Sequence, residues 1–96
     1  MHTLQIEHGI KDVGMWLAAY KSDPLGRAAS GVVAERVYRP VGDEHYVVLD
    51  LDFVTQGAAE QFLDRQKSRV WSTTAASPAL AGGPETRVVE HLPNAS

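Results

Sequence analysis

His45-Tyr-Val-Val-Leu-Asp-Leu-Asp-Phe-Val54 is the stretch on which the fold turns. Strand side chains alternate between two faces, so Val47, Leu49, Leu51 and Phe53 share one side while Tyr46, Val48, Asp50 and Asp52 share the other. The first face is wholly apolar and the second sets a tyrosine and a valine among two carboxylates. Such a strand belongs in a sheet covered on its apolar side, with the mixed side left for another purpose.

Upstream, Val41-Gly-Asp-Glu44 reads as a hairpin connection and Val32 to Arg39 as the strand before it, which makes the pair antiparallel. Residues 2 to 9 alternate again, with His2, Leu4, Ile6 and His8 opposite Thr3, Gln5 and Glu7. From Ile10 to Lys21, Val13, Trp16, Leu17 and Tyr20 recur at helical spacing. Asp23 as N-cap, Pro24 in the first position and Gly31 as a left-handed stop predict a short helical turn after it. Downstream, Thr55 caps a second helix through about Trp71, whose inward stripe is Ala59, Phe62, Leu63, Gln66 and Val70. Residues 72 to 84 read as a small-residue connector anchored at Leu80, and Glu85 to Leu92 as the closing strand. The resulting β-α-β-β-α-β order predicts an α+β, ferredoxin-like domain over residues 1–96, with a four-stranded antiparallel sheet and two helices on one face.

Composition narrows the function classes. The chain is 44% hydrophobic and 22% charged, as soluble globular domains are, and no apolar run approaches a membrane span. Nine Lys or Arg against twelve Asp or Glu give a net charge of -3, a field that does not favour a nucleic-acid backbone. Cysteine is absent, which removes thiol catalysis, thiolate metal sites and disulfides. The N-terminus alternates instead of offering the apolar block of a secretory signal, so the expected compartment is the cytoplasm. Asn94-Ala95-Ser96 fits a glycosylation sequon by chance.

Two helices cover one face of a four-stranded sheet, yet Val48 and Val89 fall on the other, among Arg36, Tyr38, Tyr46, Arg87 and His91. Packing two such sheets together buries that face and closes a dimeric α+β barrel, so the expected partner is a second copy of the chain.

The order of patterns, the segment Tyr46-Val-Val-Leu-Asp-Leu-Asp-Phe53, the helix ending Arg69-Val70-Trp71 and the terminal Arg87-Val-Val-Glu90 resemble the dimeric α/β-barrel superfamily, in particular its small bacterial members near the antibiotic-biosynthesis-monooxygenase group. Ser22-Asp-Pro-Leu-Gly-Arg-Ala-Ala-Ser-Gly31 is also similar to a segment of small actinobacterial proteins. The resemblance implies a homodimer that binds a small, partly hydrophobic organic molecule, and a monooxygenase- or isomerase-like reaction that needs no cofactor. Haem-degrading members usually use a histidine on the second helix, and residues 56 to 71 contain none. The alternative is a noncatalytic dimerisation or stress-associated interaction module.

Several residues carry candidate chemistry. His8 reads either as a general base or proton shuttle or as a strand-end histidine bonded to backbone or solvent. Asp50 and Asp52 either divide acid and base roles in a desolvated cavity or pair with Arg36 or Arg87. Tyr38 and Tyr46 orient a ligand or a second subunit, Trp16 and Tyr20 pack or line a pocket, and Trp71 closes a pocket or packs an edge. Arg27 binds an anionic ligand or holds its loop by a salt bridge. His2 and His8 lie roughly 20 Å apart on one strand, while His8, His45 and His91 have no metal motif between them. No metal or cofactor is expected.

Overall fold

A computed structural model describes residues 1–72 and 79–93. Its elements are β1 (His2–Ile10), α1 (Val13–Ser22), β2 (Val32–Tyr38), β3 (Tyr46–Phe53), α2 (Gln56–Arg65) and β4 (Leu80–Glu90), with one turn of π-helix, Gln66–Val70, following α2. Residues 73–78 of the expected connector and the sequon at 94–96 lie outside the described residues. The sheet runs β2-β3-β1-β4 with every neighbouring pair antiparallel. This is the ferredoxin-like α+β arrangement. Among the described residues no helix is long and apolar enough to cross a membrane.

Register explains the core. Leu4 faces Leu51 on β3 and Val88 on β4, and Ile6 faces Leu49, so the apolar positions of the central strands fall on one face. Helix α2 lays Ala59 and Phe62 onto that face, and the Phe62 ring tilts against Phe53 at 5.7 Å. Each fully buried side chain of this size contributes about 1.5–3 kcal/mol of transfer free energy. The Thr55 hydroxyl accepts the Ala58 N–H at 3.1 Å, capping α2 as its sequence predicts. A second cluster joins Ile10, Trp16, Val47 and Ala79 beneath α1.

Four local expectations change. Helix α1 starts later than Ile10 because Ile10 stays in the sheet, paired with Leu80, and Asp12 supplies the cap to Gly14. Its outward turn leaves Leu17 exposed, with Trp16 carrying the buried contact. Asp23 is not the cap of the expected short helical turn, since it is left-handed at φ 53 and closes α1; the turn forms after Gly26, with Ser30 N–H donating to Gly26 O at 2.9 Å and Gly31, at φ 101, as its left-handed stop. The Asp23 carboxylate accepts the Arg27 N–H at 2.8 Å across a chain of turns. The second helix widens at Gln66, where Trp71 N–H donates to Gln66 O five residues back.

The last strand begins at Leu80, five residues before the expected Glu85. Glu7 pairs with Glu85 but Gly9 pairs with Ala81, so Gly82, Gly83 and Pro84 stand opposite the single residue His8. Glycine and proline that read as strand breakers are taken up as a bulge, with Gly82 in the left-handed region at φ 81.

Candidate ligand cavity

A cavity of about 170 Å³ lies between the helix-facing side of the sheet and the two helices. Ile6, Leu49 and Leu51 come from the sheet, Trp16 and Tyr20 from α1, Phe62 from α2, and Val70 and Trp71 from the widened turn and its end. Helix α1 meets the sheet through Trp16, which joins Ile10 and Val47, with Val13 and Tyr20 packed beside it. The π-turn places Gln66, Val70 and Trp71 all on the wall. Such turns and bulges recur near functional sites because they re-aim side chains that regular elements would turn away.

His8 lies on this wall, opposite the bulge, and is nearly fully buried. Its Nδ1 sits 2.8 Å from the Gly9 carbonyl oxygen. A carbonyl only accepts, so Nδ1 carries the proton. Burial pushes the imidazolium form below its ordinary titration range, and the Gly9 bond opposes this with a smaller effect. A neutral ring protonated on Nδ1 leaves Nε2 as a bare acceptor. The ring centroid is 6.4 Å from Trp16 and 6.5 Å from Trp71, so the imidazole stands among aromatic rings.

Trp16 and Tyr20, one helical turn apart, stack at 5.0 Å with an interplanar angle of 14°. The Arg27 guanidinium lies 3.7 Å above the other part of this stack, the Tyr20 ring. Arg27 also donates to Tyr20 O at 2.7 Å and to Glu35 at 3.1 Å, and pairs with Asp23 at 3.3 Å. The guanidinium is thus engaged in holding the loop, one of its two sequence readings. The Tyr20 hydroxyl is buried and makes no well-aligned hydrogen bond, although Glu35 is close enough to act on it. Burial first, and Glu35 second, push the Tyr20 phenol upward, so it stays neutral.

The other residues singled out in the sequence lie on the opposite side of the sheet. Asp52 accepts two hydrogen bonds from Arg36, both 2.9 Å, and a third from the Thr3 hydroxyl at 2.6 Å. Arg36 foremost, then Thr3, hold its carboxyl down to about 2. Thr3 also meets His91 Nε2 at 2.5 Å. Asp50 is 3.8 Å from Arg36, with its second oxygen buried and unbonded. Tyr46 donates to Glu7 at 2.8 Å, and Tyr38 is exposed on the edge strand. The structure therefore brings His8, Trp16, Tyr20, Arg27 and Trp71 together and sets Asp50, Asp52, Arg36, Tyr38 and Tyr46 apart from them. His91 pairs with the Met1 end of β1, far from His8, and among the described residues no three His, Asp or Glu side chains gather as metal ligands. Gln66 joined the cavity without being singled out; in the sequence it shows only as one position of a helical stripe.

No protein-family model matches the chain, and no curated protein does. Solved structures do. A protein of unknown function from Nitrosomonas europaea is 20% identical, with a TM-score of 0.71 over 95% of this chain and 88% of that one. SnoaB, a cofactor-independent oxygenase from Streptomyces nogalater, is 13% identical, with a TM-score of 0.68 over 98% of this chain and 95% of its own. A dimeric ferredoxin-like protein from an uncultured marine organism is 15% identical, with a TM-score of 0.59 over 95% of both chains. These likenesses establish the fold.

Proposed function

We propose that the protein is a homodimer that binds a small, partly hydrophobic organic molecule in the cavity between sheet and helices, and that His8 moves a proton on it. The observation that carries this reading is the bare Nε2 of a buried, neutral histidine on the wall of an aromatic cavity. Nε2 takes a proton from an activated C–H or O–H of the ligand, and Gly9 O, fixed on Nδ1–H, steadies the imidazolium that forms. Returning the proton to another ligand atom completes an isomerisation; in the oxygenase alternative, which the likeness to SnoaB favours, the carbanion reduces dioxygen as a C–O bond forms, the peroxide takes the proton back from His8, and loss of water with the remaining C–H leaves a carbonyl. No residue here requires a cofactor for the proton step.

The outer sheet face is the proposed assembly surface. Val48 and Val89 lie there half-buried among paired polar groups, and a similar chain is described as dimeric. Asp50 and Asp52 belong to this surface in our reading. A purely noncatalytic module would use the same face and leave the cavity without chemistry.

Wash-in of solvent deuterium at the benzylic carbon of phenylacetone tests the proton step. Wild-type protein accelerates exchange, and His8→Gln lowers the acceleration by about a hundredfold. Equal rates in the two proteins overturn the role of His8. Sedimentation of wild type and Val48→Asp tests assembly: a dimer that the substitution dissociates is expected, and a wild-type monomer contradicts the proposal.

A further inference from the structure

We infer that the cavity selects an uncharged molecule with a single ring, bearing one hydrogen-bond donor for His8 Nε2 and one acceptor for the Tyr20 hydroxyl. This rests on the ligand-binding reading above and deepens it by naming the ligand class.

Size sets the first limit. An engineered apolar cavity of roughly 150 Å³ in another protein admits benzene, whereas sites for drug-sized ligands run to about 300–1,000 Å³. At about 170 Å³, the space here holds one ring and a short substituent.

Charge sets the second. The cation and the anion on the wall, Arg27 and Asp23, are already paired, and Arg27 is bonded to Glu35 as well. A carboxylate entering this space finds no uncommitted cation among the described residues, loses its hydration, and meets the field of Glu35 beside Tyr20. The aromatic walls favour a flat ring over an aliphatic chain.

Two polar groups set the third. His8 Nε2 accepts because its partner nitrogen holds the proton. The Tyr20 hydroxyl is buried without a well-aligned hydrogen bond, its approach to Glu35 being a poor one, which is a cost in the free protein. A ligand that accepts from it removes that cost. Tyr20 is then retained for its ligand rather than for the fold, and its hydroxyl is dispensable to stability.

The test follows the indole N–H resonances in proton–nitrogen correlation spectra at neutral pH. The chain has two tryptophans, Trp16 and Trp71, and both line the cavity. The probes are meta-hydroxyacetophenone, ethylbenzene, meta-hydroxybenzoate, meta-hydroxybenzylamine and a two-ring hydroxyacetylnaphthalene. The first shifts both indoles and binds about tenfold more tightly than ethylbenzene, with the charged and two-ring probes weaker still. Tyr20→Phe removes the advantage over ethylbenzene while its melting temperature stays equal to or above that of wild type. Preference for the benzoate, the amine, the larger ring system or ethylbenzene overturns the ligand class and leaves the binding reading standing. Failure of all probes to move either indole overturns both. A Tyr20→Phe protein that binds the hydroxyketone as wild type does, or that melts well below it, overturns the role given to the hydroxyl.

Discussion

Gly9→Ala tests the strand pairing that holds His8 in place. A methyl built on Gly9 meets the Ala81 carbonyl oxygen at 2.7 Å, well inside contact distance. Ala81 cannot withdraw freely, because it is paired with Gly9 itself, Leu80 is paired with Ile10, and Ala79 O accepts the Lys11 N–H at 2.9 Å. Forcing the strands apart costs about 1–3 kcal/mol of overpacking, and each ladder hydrogen bond weakened adds about 1 kcal/mol. The lower entropy of an unfolded alanine returns only about 0.4–1 kcal/mol. The net destabilisation is about 2 kcal/mol, and for a chain of this size it lowers the melting temperature by roughly 8–16 °C. Gly57 is the control: it lies in the first turn of α2 with nothing within 4 Å of the methyl that an alanine would add, so Gly57→Ala stabilises by about 0.5–1 kcal/mol. Thermal and urea unfolding followed by circular dichroism read both. A Gly9→Ala protein as stable as wild type would refute the close approach of β1 and β4 at the bulge.

Acid should act in two stages. His8 has a folded titration point below its ordinary 6.5, so it favours the fold above that value and the contribution is lost as pH falls through the lower, folded one. Asp52, held down to about 2 from 3.8, contributes above the higher value and loses that contribution between the two. Urea midpoints measured against pH should show both falls, and Asp52→Asn should remove the second; a flat profile contradicts the pairing with Arg36. Thr55→Ala deletes the cap of α2 and lowers stability by about 1 kcal/mol, read from the urea midpoint, with no change if the cap is idle.

The fold was legible because strand alternation and helical spacing are local signals. Val47, Leu49, Leu51 and Phe53 declare their face without knowledge of any partner, and Thr55 declares the start of a helix. The site was legible only in part, since it depends on which face each residue joins. His8 and Asp52 are both polar residues on central strands, but the registers Thr3↔Asp52 and His8↔Val47 put them on opposite sides of the sheet. The bulge escaped because Gly82, Gly83 and Pro84 carry the same local preferences in a loop as in an irregular strand, and only pairing with β1 decides between them. The widened turn at Gln66 escaped for the same reason: the choice between four- and five-residue hydrogen bonds is made by packing around Trp71.

The central claim is that the helix-facing cavity holds a neutral histidine with a free basic nitrogen. Long-range proton–nitrogen spectra of His8, recorded as pH is lowered, measure this directly. The structure predicts a neutral ring protonated on Nδ1, which titrates below 6.5 and whose Nε2 resonance moves when meta-hydroxyacetophenone is added. A ring protonated on Nε2, or one that is already imidazolium at neutral pH, would contradict it.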